Sequence, residues 1–381
     1  MAFPLGEGIT LDQLSTDPHP HLARLRAVEP VTWVPVLDGW LVTRRDLCIQ
    51  VMRDAARFTV DDPRFSTAQV VGPSMLSLDG EEHRRHRDPF ANAFRQSQVR
   101  DRFTETVNSE ARRLASDLAP KGRAEIRREL AGPLAVAVVA AALELVDVEV
   151  AALLGWYDAI VAEVDRISAG EGADGVGREA ARQLGSHVQR SSEQPSSLLA
   201  RVRSELSSSE VTSNAAVMMF GGIETSEGMT TSLFWHLLTK PERWQRVVGD
   251  RSLGPQAVDE SLRLEPAAAR VDRYATEGVD LAGAPIRQGD LVIVSLSAAN
   301  RDPAVFSDPD RFDLDRPNSR LHLAFAQGPH ACIGIHLAKL ETLAALNAVL
   351  DLWPRLQLDG DSSSPSGLVF RKPRVLNVHW A

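Results

Sequence analysis

Leu323-Ala-Phe-Ala-Gln-Gly-Pro-His-Ala-Cys-Ile-Gly-Ile-His336 is the stretch whose reading decides the fold. It carries Cys332, framed by Gly328 and Gly334, with the aromatic Phe325 upstream and a helical pattern from Ile335 to Leu350 downstream. Glycine has no Cβ, so such a loop lets the backbone approach a flat ligand closely. The sulfur stands at a helix start, where the positive end of the dipole favours a thiolate over a thiol. A thiolate in a tight loop is a soft, strongly donating metal ligand. For a cysteine taken alone, a small buried hydrophobe at a helix start is the plainer explanation.

Composition narrows the classes. The chain has 381 residues, 44% hydrophobic and 24% charged, ordinary values for a globular protein. A net charge of −9 argues against nucleic acid, which needs a basic face. No stretch reaches the roughly 18 apolar residues that span a bilayer. Leu134 to Leu143 is the most apolar run and reads as a core helix. No signal peptide is evident at Met1-Ala-Phe-Pro-Leu-Gly-Glu7. Cys48 and Cys332 are the only cysteines, which is no disulfide framework and suits a reducing cytosol. Cys48 lies in a helical pattern and reads as packing.

Trp33 to Val36 and Trp40 to Thr43 read as a hairpin about Asp38-Gly39. Helical periodicity covers Asp46 to Met52, Glu81 to Phe94, Val99 to Leu118, Glu129 to Leu145 and Val148 to Ile167. The glycine-rich Ser168 to Gly177 reads as a loop, and Ser191 to Ser197 and Ser207 to Ser209 as breaks. A long helix is predicted from Ser213 to Leu238 and a shorter one from Gln256 to Arg263. Val271 to Val294 suggests small strands. The balance is mainly α with small β-sheets, with neither an internal repeat nor a clear linker.

Three further patterns stand out. Glu260 and Arg263 are three apart, hence on one helix face, commonly a solvated pair. Glu81-Glu-His-Arg-Arg-His-Arg87 puts His83 and Arg87 at i and i+4, by default a basic, solvated face. Met218-Met-Phe-Gly-Gly-Ile-Glu-Thr-Ser226 places two glycines inside a helix, costing about 1 kcal/mol each. Close approach of a flat ligand would explain them. Val217, Gly221 and Thr225 share one face there, and the Thr225 hydroxyl can bond back to the Gly221 carbonyl and open the helix locally.

The cysteine stretch resembles the Phe-Gly-x-Gly-x-His-x-Cys-x-Gly signature of the cytochrome P-450 family, the haem-thiolate monooxygenases. Phe325, Gly328, His330, Cys332 and Gly334 match it, and Ala326 stands where the family has its first glycine, a modest strain on the turn. Asn300-Arg-Asp-Pro-Ala-Val-Phe306 and Asp308-Pro-Asp-Arg-Phe-Asp313 follow Glu260 and Arg263 in the family's order. The resemblance runs from the N-terminal hairpin to Val375-Leu-Asn-Val-His-Trp380, so it implies one P-450 domain over residues 1–381.

That resemblance implies haem b, with Cys332 as the iron ligand. It implies Phe325, Gly334 and Gly221 around the macrocycle, and His83, Arg87, Arg273 and His330 on the propionates, with His322 as a further candidate. It implies Glu260, Arg263 and Arg311 as a buried network that fixes the cysteine loop, and Glu224 and Thr225 as the acid–alcohol pair that delivers protons. Val217, Phe220, Ala268, Ala269 and Arg270 are candidate substrate contacts, with Arg270 and Arg374 able to meet a polar group.

The implied activity is insertion of one atom of O₂ into a small, largely apolar organic substrate, of the kind met in secondary metabolism. Electrons would come from a ferredoxin and its NAD(P)H-dependent reductase, docking near Arg84, Arg85 and Lys339. A cytoplasmic monomer without nucleic-acid or membrane partners is expected. Competing readings are a peroxide-driven peroxygenase, a non-catalytic haem sensor or carrier, and a cysteine nucleophile with His330 or His336 as base.

Overall fold

The computed structural model describes residues 3–145, 148–168, 171–194 and 197–380. Helices dominate, and the longest, Ser208–Leu238, runs through the largest apolar cluster. Its buried residues lie on every side, which is why its sequence lacks a polar stripe. It begins five residues before the predicted Ser213. Ser207 caps it, accepting from the Glu210 N–H while the Glu210 side chain accepts from the Ser207 N–H. The serines read as a break are therefore a capping box.

The helix Ile335–Leu352 follows the cysteine loop and packs on Gln96–Leu118 and on the long helix. The predicted helix from Glu129 starts earlier, as a wide turn at Arg127–Ala131, and continues as Gly132–Ala142. Helices Gly80–Ala91, Val150–Ser168 and Gly254–Leu264 lie near their predicted ranges. Within the predicted Ser168–Gly177 loop, residues 169 and 170 lie outside the described residues, and the helix Val176–Ser192 begins before the loop's expected end. Residues 195 and 196 of the serine-rich break at Ser191–Ser197 are likewise outside them.

The main sheet has five strands in the order Val31–Val34, Gly39–Val42, Leu291–Ser295, Arg270–Ala275 and Phe58–Thr59. Gly39–Val42 runs parallel to Leu291–Ser295, and the other pairs are antiparallel. The hairpin register sets Trp33 opposite Trp40, with the rings edge to face at 5.6 Å. Its turn is wider than a two-residue Asp-Gly turn. Pro35–Leu37 form a helical turn and Asp38 closes it at φ 47°. A second apolar cluster lies beside this sheet and holds Cys48, which is fully buried, as the packing interpretation expects. No helix among the described residues is long and apolar enough to cross a membrane.

Candidate active site

The cysteine loop is held by its own backbone. The Cys332 N–H donates to the Phe325 carbonyl at 2.9 Å, and the Leu323 N–H donates to Asn300 Oδ1 at 2.6 Å. Gly328 has φ +79°, and a Cβ there would lie 2.3 Å from the Met52 carbonyl oxygen, so only glycine fits. Ala326 adopts φ +55°, the strain foreseen for an alanine at this turn, at a cost of about 1–2 kcal/mol. The loop presents Cys332 to an internal cavity of about 290 Å³, where its side chain is exposed while remaining remote from bulk solvent. Burial pushes the thiol pKa up. The N–H groups of Gly334 and Ile335 and the charge of Arg87 pull the other way without reversing it. The helix start alone therefore does not produce a thiolate; a bound cation would.

The long helix brings Gly221 and Thr225 to the same cavity. No atom lies within 4 Å of where a Gly221 Cβ would stand, whereas one on Gly222 would strike Val139 Cγ2 at 2.5 Å. The first glycine leaves room and the second lets two helices touch. Thr225 Oγ1 donates to the Gly221 carbonyl at 2.5 Å, the predicted back-bond, and the helix stays continuous through it instead of opening. Glu224 is elsewhere. Its carboxylate accepts from the Tyr157 hydroxyl and pairs with Lys372 Nζ at 2.8 Å, on the helix flank and not on the cavity wall.

The basic residues near the loop carry unspent donors. Arg273 is buried, and among the described residues its guanidinium makes one hydrogen bond, to the Asp272 carbonyl at 2.7 Å. Arg87 lines the cavity and donates to the Ala331 carbonyl at 2.5 Å. Burial lowers the pKa of both guanidiniums. His83 is buried with Nε2 unpartnered, and its pKa is pushed down to about 4, chiefly by burial, then by His330 and Arg87. Its ring lies 4.3 Å from that of His330, whose Nε2 meets Asp79 Oδ1 at 2.8 Å. Buried cations without carboxylate partners are costly. Two anionic propionates would satisfy these groups, and the sulfur would supply an axial ligand, so the residues present fit a haem.

The charge network is found with one substitution in its membership. Glu260 and Arg263 are fully buried and bonded at 2.8 and 2.9 Å. The second guanidinium is Arg316, whose Nε lies 3.0 Å from Glu260 Oε1. Arg311 is exposed and contributes only its backbone carbonyl, which accepts from both Arg263 and Arg316. The expected side chain points to solvent because the chain turns at Asp308–Arg311, which brings main chain inward.

Other placements differ too. Val217 and Ala268 line the cavity. Phe220 instead packs edge to face on Phe370, and Ala269 and Arg270 line a separate small cleft near Leu368. Strand alternation from Arg270 onward explains the last difference, since Val271 takes the inward side. His322 lies beside Asp259 and Phe325, off the cavity wall. Of the expected docking residues, Lys339 is paired with Asp259 at 2.6 Å and Arg85 with Glu82 and Glu210, leaving Arg84 exposed.

Glu341 was not singled out in the sequence. It lies on the helix after the loop, fully buried at the cavity wall, with its pKa pushed up to about 8 by burial, against a bond from Ser226. Its signal was a single acid inside the apolar run Leu337 to Leu350.

Comparison with known proteins agrees with this geometry. The family model for cytochrome P-450 matches residues 189–362. The cytochrome P-450 monooxygenase PikC of Streptomyces venezuelae is 33% identical, over 96% of this chain and 92% of its own length. Nocardicin C N-oxygenase of Nocardia uniformis subsp. tsuyamanensis is 32% identical over 100% of this chain and 98% of its own. Among solved structures, CalO2 superposes with a TM-score of 0.86 at 27% identity, covering 98% of each chain. A P450BioI complex with an acyl-loaded carrier protein gives 0.86 at 26% identity, covering 96% of this chain and 99% of its own. A glycine-framed cysteine loop, buried arginines and a histidine with donors to spare, and a glycine–threonine helix thus occur together in a chain with full-length monooxygenase relatives, and the chain belongs to the cytochrome P-450 family as one of its monooxygenases.

Proposed function

We propose that this chain, as one domain, holds haem b and inserts one atom of O₂ into a small, largely apolar organic substrate. The observation that carries the reading is the cavity itself. Cys332 stands on one wall and Gly221 and Thr225 on another, while apolar side chains such as Val217, Met218, Val138 and Leu296 form much of the rest. Arg87, Arg273, His83 and His330 would hold the propionates, and Cys332 the iron. Bound haem, with a thiolate ligand that favours O–O cleavage, supplies the oxidising chemistry. The apolar walls exclude water and orient a hydrocarbon surface.

Thr225 would hold a proton donor at the cavity, its hydroxyl fixed by the Gly221 carbonyl. Glu224 would refill that donor from solvent once it leaves Lys372. Electrons would come from a ferredoxin and its NAD(P)H-dependent reductase in the cytoplasm. The relatives acting in secondary metabolism, such as mycinamicin IV hydroxylase/epoxidase, support a tailoring role.

The test is the spectrum of the reduced carbon-monoxide complex, followed by turnover with a ferredoxin system against hydrogen peroxide. A strongly red-shifted Soret band with ferredoxin-dependent product supports the reading. Turnover with peroxide alone would replace it with a peroxygenase, and haem binding without turnover by a carrier.

A further inference from the structure

We infer that Ser213 and Asn214 are positioning residues that fix the substrate-facing wall formed by Met75 and Leu76, a step that rests on the cavity being the substrate pocket. Met75 and Leu76 line that cavity, yet they belong to a turn and not to a helix or strand. A wall made from a turn needs an external brace, because its own bonds are few and local. Here those are the Ser77 N–H to the Ser74 carbonyl, and the N–H groups of Ser74 and Leu76 to hydroxyls of Ser77 and Ser74.

The brace comes from the start of the long helix. Ser213 Oγ donates to the Val71 carbonyl at 2.6 Å, and Asn214 Oδ1 accepts from the Met75 N–H at 2.8 Å. Two successive side chains thus grip both ends of the segment from Val71 to Met75. Gly72 lies between them at φ +86°, and a Cβ there would approach Ser213 Oγ to 2.9 Å. The close fit is part of the grip.

The Asn214 amide has only one arrangement that works. A backbone N–H can only donate, so Oδ1 must face Met75. Nδ2 then donates to the Glu210 carbonyl at 2.8 Å and to His86 Nδ1 at 2.9 Å. Asn214 and His86 are both buried. One side chain therefore ties together the helix Gly80–Ala91, the long helix and the cavity wall. A buried amide that satisfies three backbone or ring partners costs little while intact, but removing it strands each partner without water. Nothing in this arrangement touches the reacting atoms, so the role is one of position.

The experiment uses the haem-loaded protein and two probes read by the Soret shift. Imidazole reaches only the iron, whereas 4-phenylimidazole also presses on the cavity walls. Asn214→Leu should weaken 4-phenylimidazole about tenfold, as loss of a buried hydrogen bond would, and leave imidazole unchanged. Asn214→Asp, which still accepts from Met75 but loses the donors to Glu210 and His86, should recover only part of the 4-phenylimidazole affinity. Equal loss for both probes, or no loss for either, overturns the inference. Absence of any imidazole shift in the wild type would instead overturn the haem reading beneath it. Hydrogen exchange on wild-type peptides covering Pro73 to Ser77 gives a check that needs no variant: the Met75 amide must be protected, and free exchange there rejects the brace.

Discussion

Lys372 Nζ sits 2.8 Å from Glu224 Oε1 and 3.0 Å from Glu227 Oε2, bridging two carboxylates on one flank of the long helix. Arg127 closes on Glu227 from the other side, and Tyr157 on Glu224. Thr225, the next residue after Glu224, faces the cavity instead. An α-helix turns about 100° per residue, so sequence neighbours are assigned to different environments. Glu224, the acid proposed to refill the donor at Thr225, thus lies in an ion pair on a different face of the helix.

If Thr225 holds the proton donor, Thr225→Ala will still bind substrate and oxidise NAD(P)H, but will divert that consumption from product to hydrogen peroxide. A lost proton donor slows its step by about 10²–10⁴-fold, and a solvent water will recover part of this. Product, peroxide and NAD(P)H measured together give the coupling. Unchanged coupling in both Thr225→Ala and Glu224→Gln would exclude this route.

The buried network separates Arg316 from Arg311. Removing one partner of a buried pair strands the other, so Arg316→Ala should destabilise the fold by about 3–5 kcal/mol and yield haem-poor protein. Arg311→Ala removes an exposed side chain and should fall within about 0.5 kcal/mol of wild type. Urea unfolding of both variants decides; similar losses would return Arg311 to the network.

Glu265 predicts acid sensitivity. Burial alone would raise its carboxyl pKa, but His19, Arg371 and Arg301 together hold it well below the usual carboxylate range. A depressed folded pKa gives stability that is complete above the unfolded value of about 4.3 and is lost as pH falls through the folded value. Unfolding midpoints should therefore drop from about pH 5 downward, and Glu265→Gln should lower stability at neutral pH and flatten that drop. An unchanged acid slope in Glu265→Gln would show that other carboxylates carry it.

Glu341 has the opposite sign. With its pKa raised to about 8, the carboxyl is favoured neutral, so its contribution is complete at low pH and fades as pH rises from the unfolded value through 8. Glu341→Gln should gain stability relative to wild type at pH 8 and little at pH 4. A pH-independent difference between the two proteins would sink this.

Charge reversal at Arg84 should slow reduction by ferredoxin and weaken its salt dependence, since Arg84 is the exposed member of the expected docking set. Reversal at Arg85 acts differently, because its guanidinium holds Glu210 at the start of the long helix. Stopped-flow reduction at two ionic strengths distinguishes the variants. Wild-type rates and salt dependence in Arg84→Glu would exclude this face.

The cysteine loop was legible because its constraints are local: Gly328, Cys332 and the following helix are contiguous, and the back-bond of Thr225 to Gly221 follows from a spacing of four. Many of the helix and strand ranges were legible from periodicity for the same reason, but the helices His19–Val28 and Val176–Ser192 were not predicted. Arg316 was not, because choosing among several arginines requires knowing which way the chain turns after Asp308. The Lys372 bridge and the Met75 brace join residues more than a hundred positions apart, and no periodicity encodes such a meeting. Asn214 lay inside the predicted helix, where its polar side chain had no visible partner.

Gly222 and Val139 meet where the long helix crosses Gly132–Ala142, and both also line the cavity. The pair behaves as a single volume shared between two helices, so it offers a way to reshape the pocket without moving the iron side. Shrinking Val139 to alanine and enlarging Gly222 to alanine would shift space from one wall to the other, since the two carbons lost from Val139 exceed the one gained at Gly222 and so relieve the contact between them. Changing Gly222 alone would push the long helix off its neighbour and carry Gly221 and Thr225 with it. A larger residue at position 222 therefore needs a smaller one at 139, whereas Val139→Ala alone only opens the pocket at this seam.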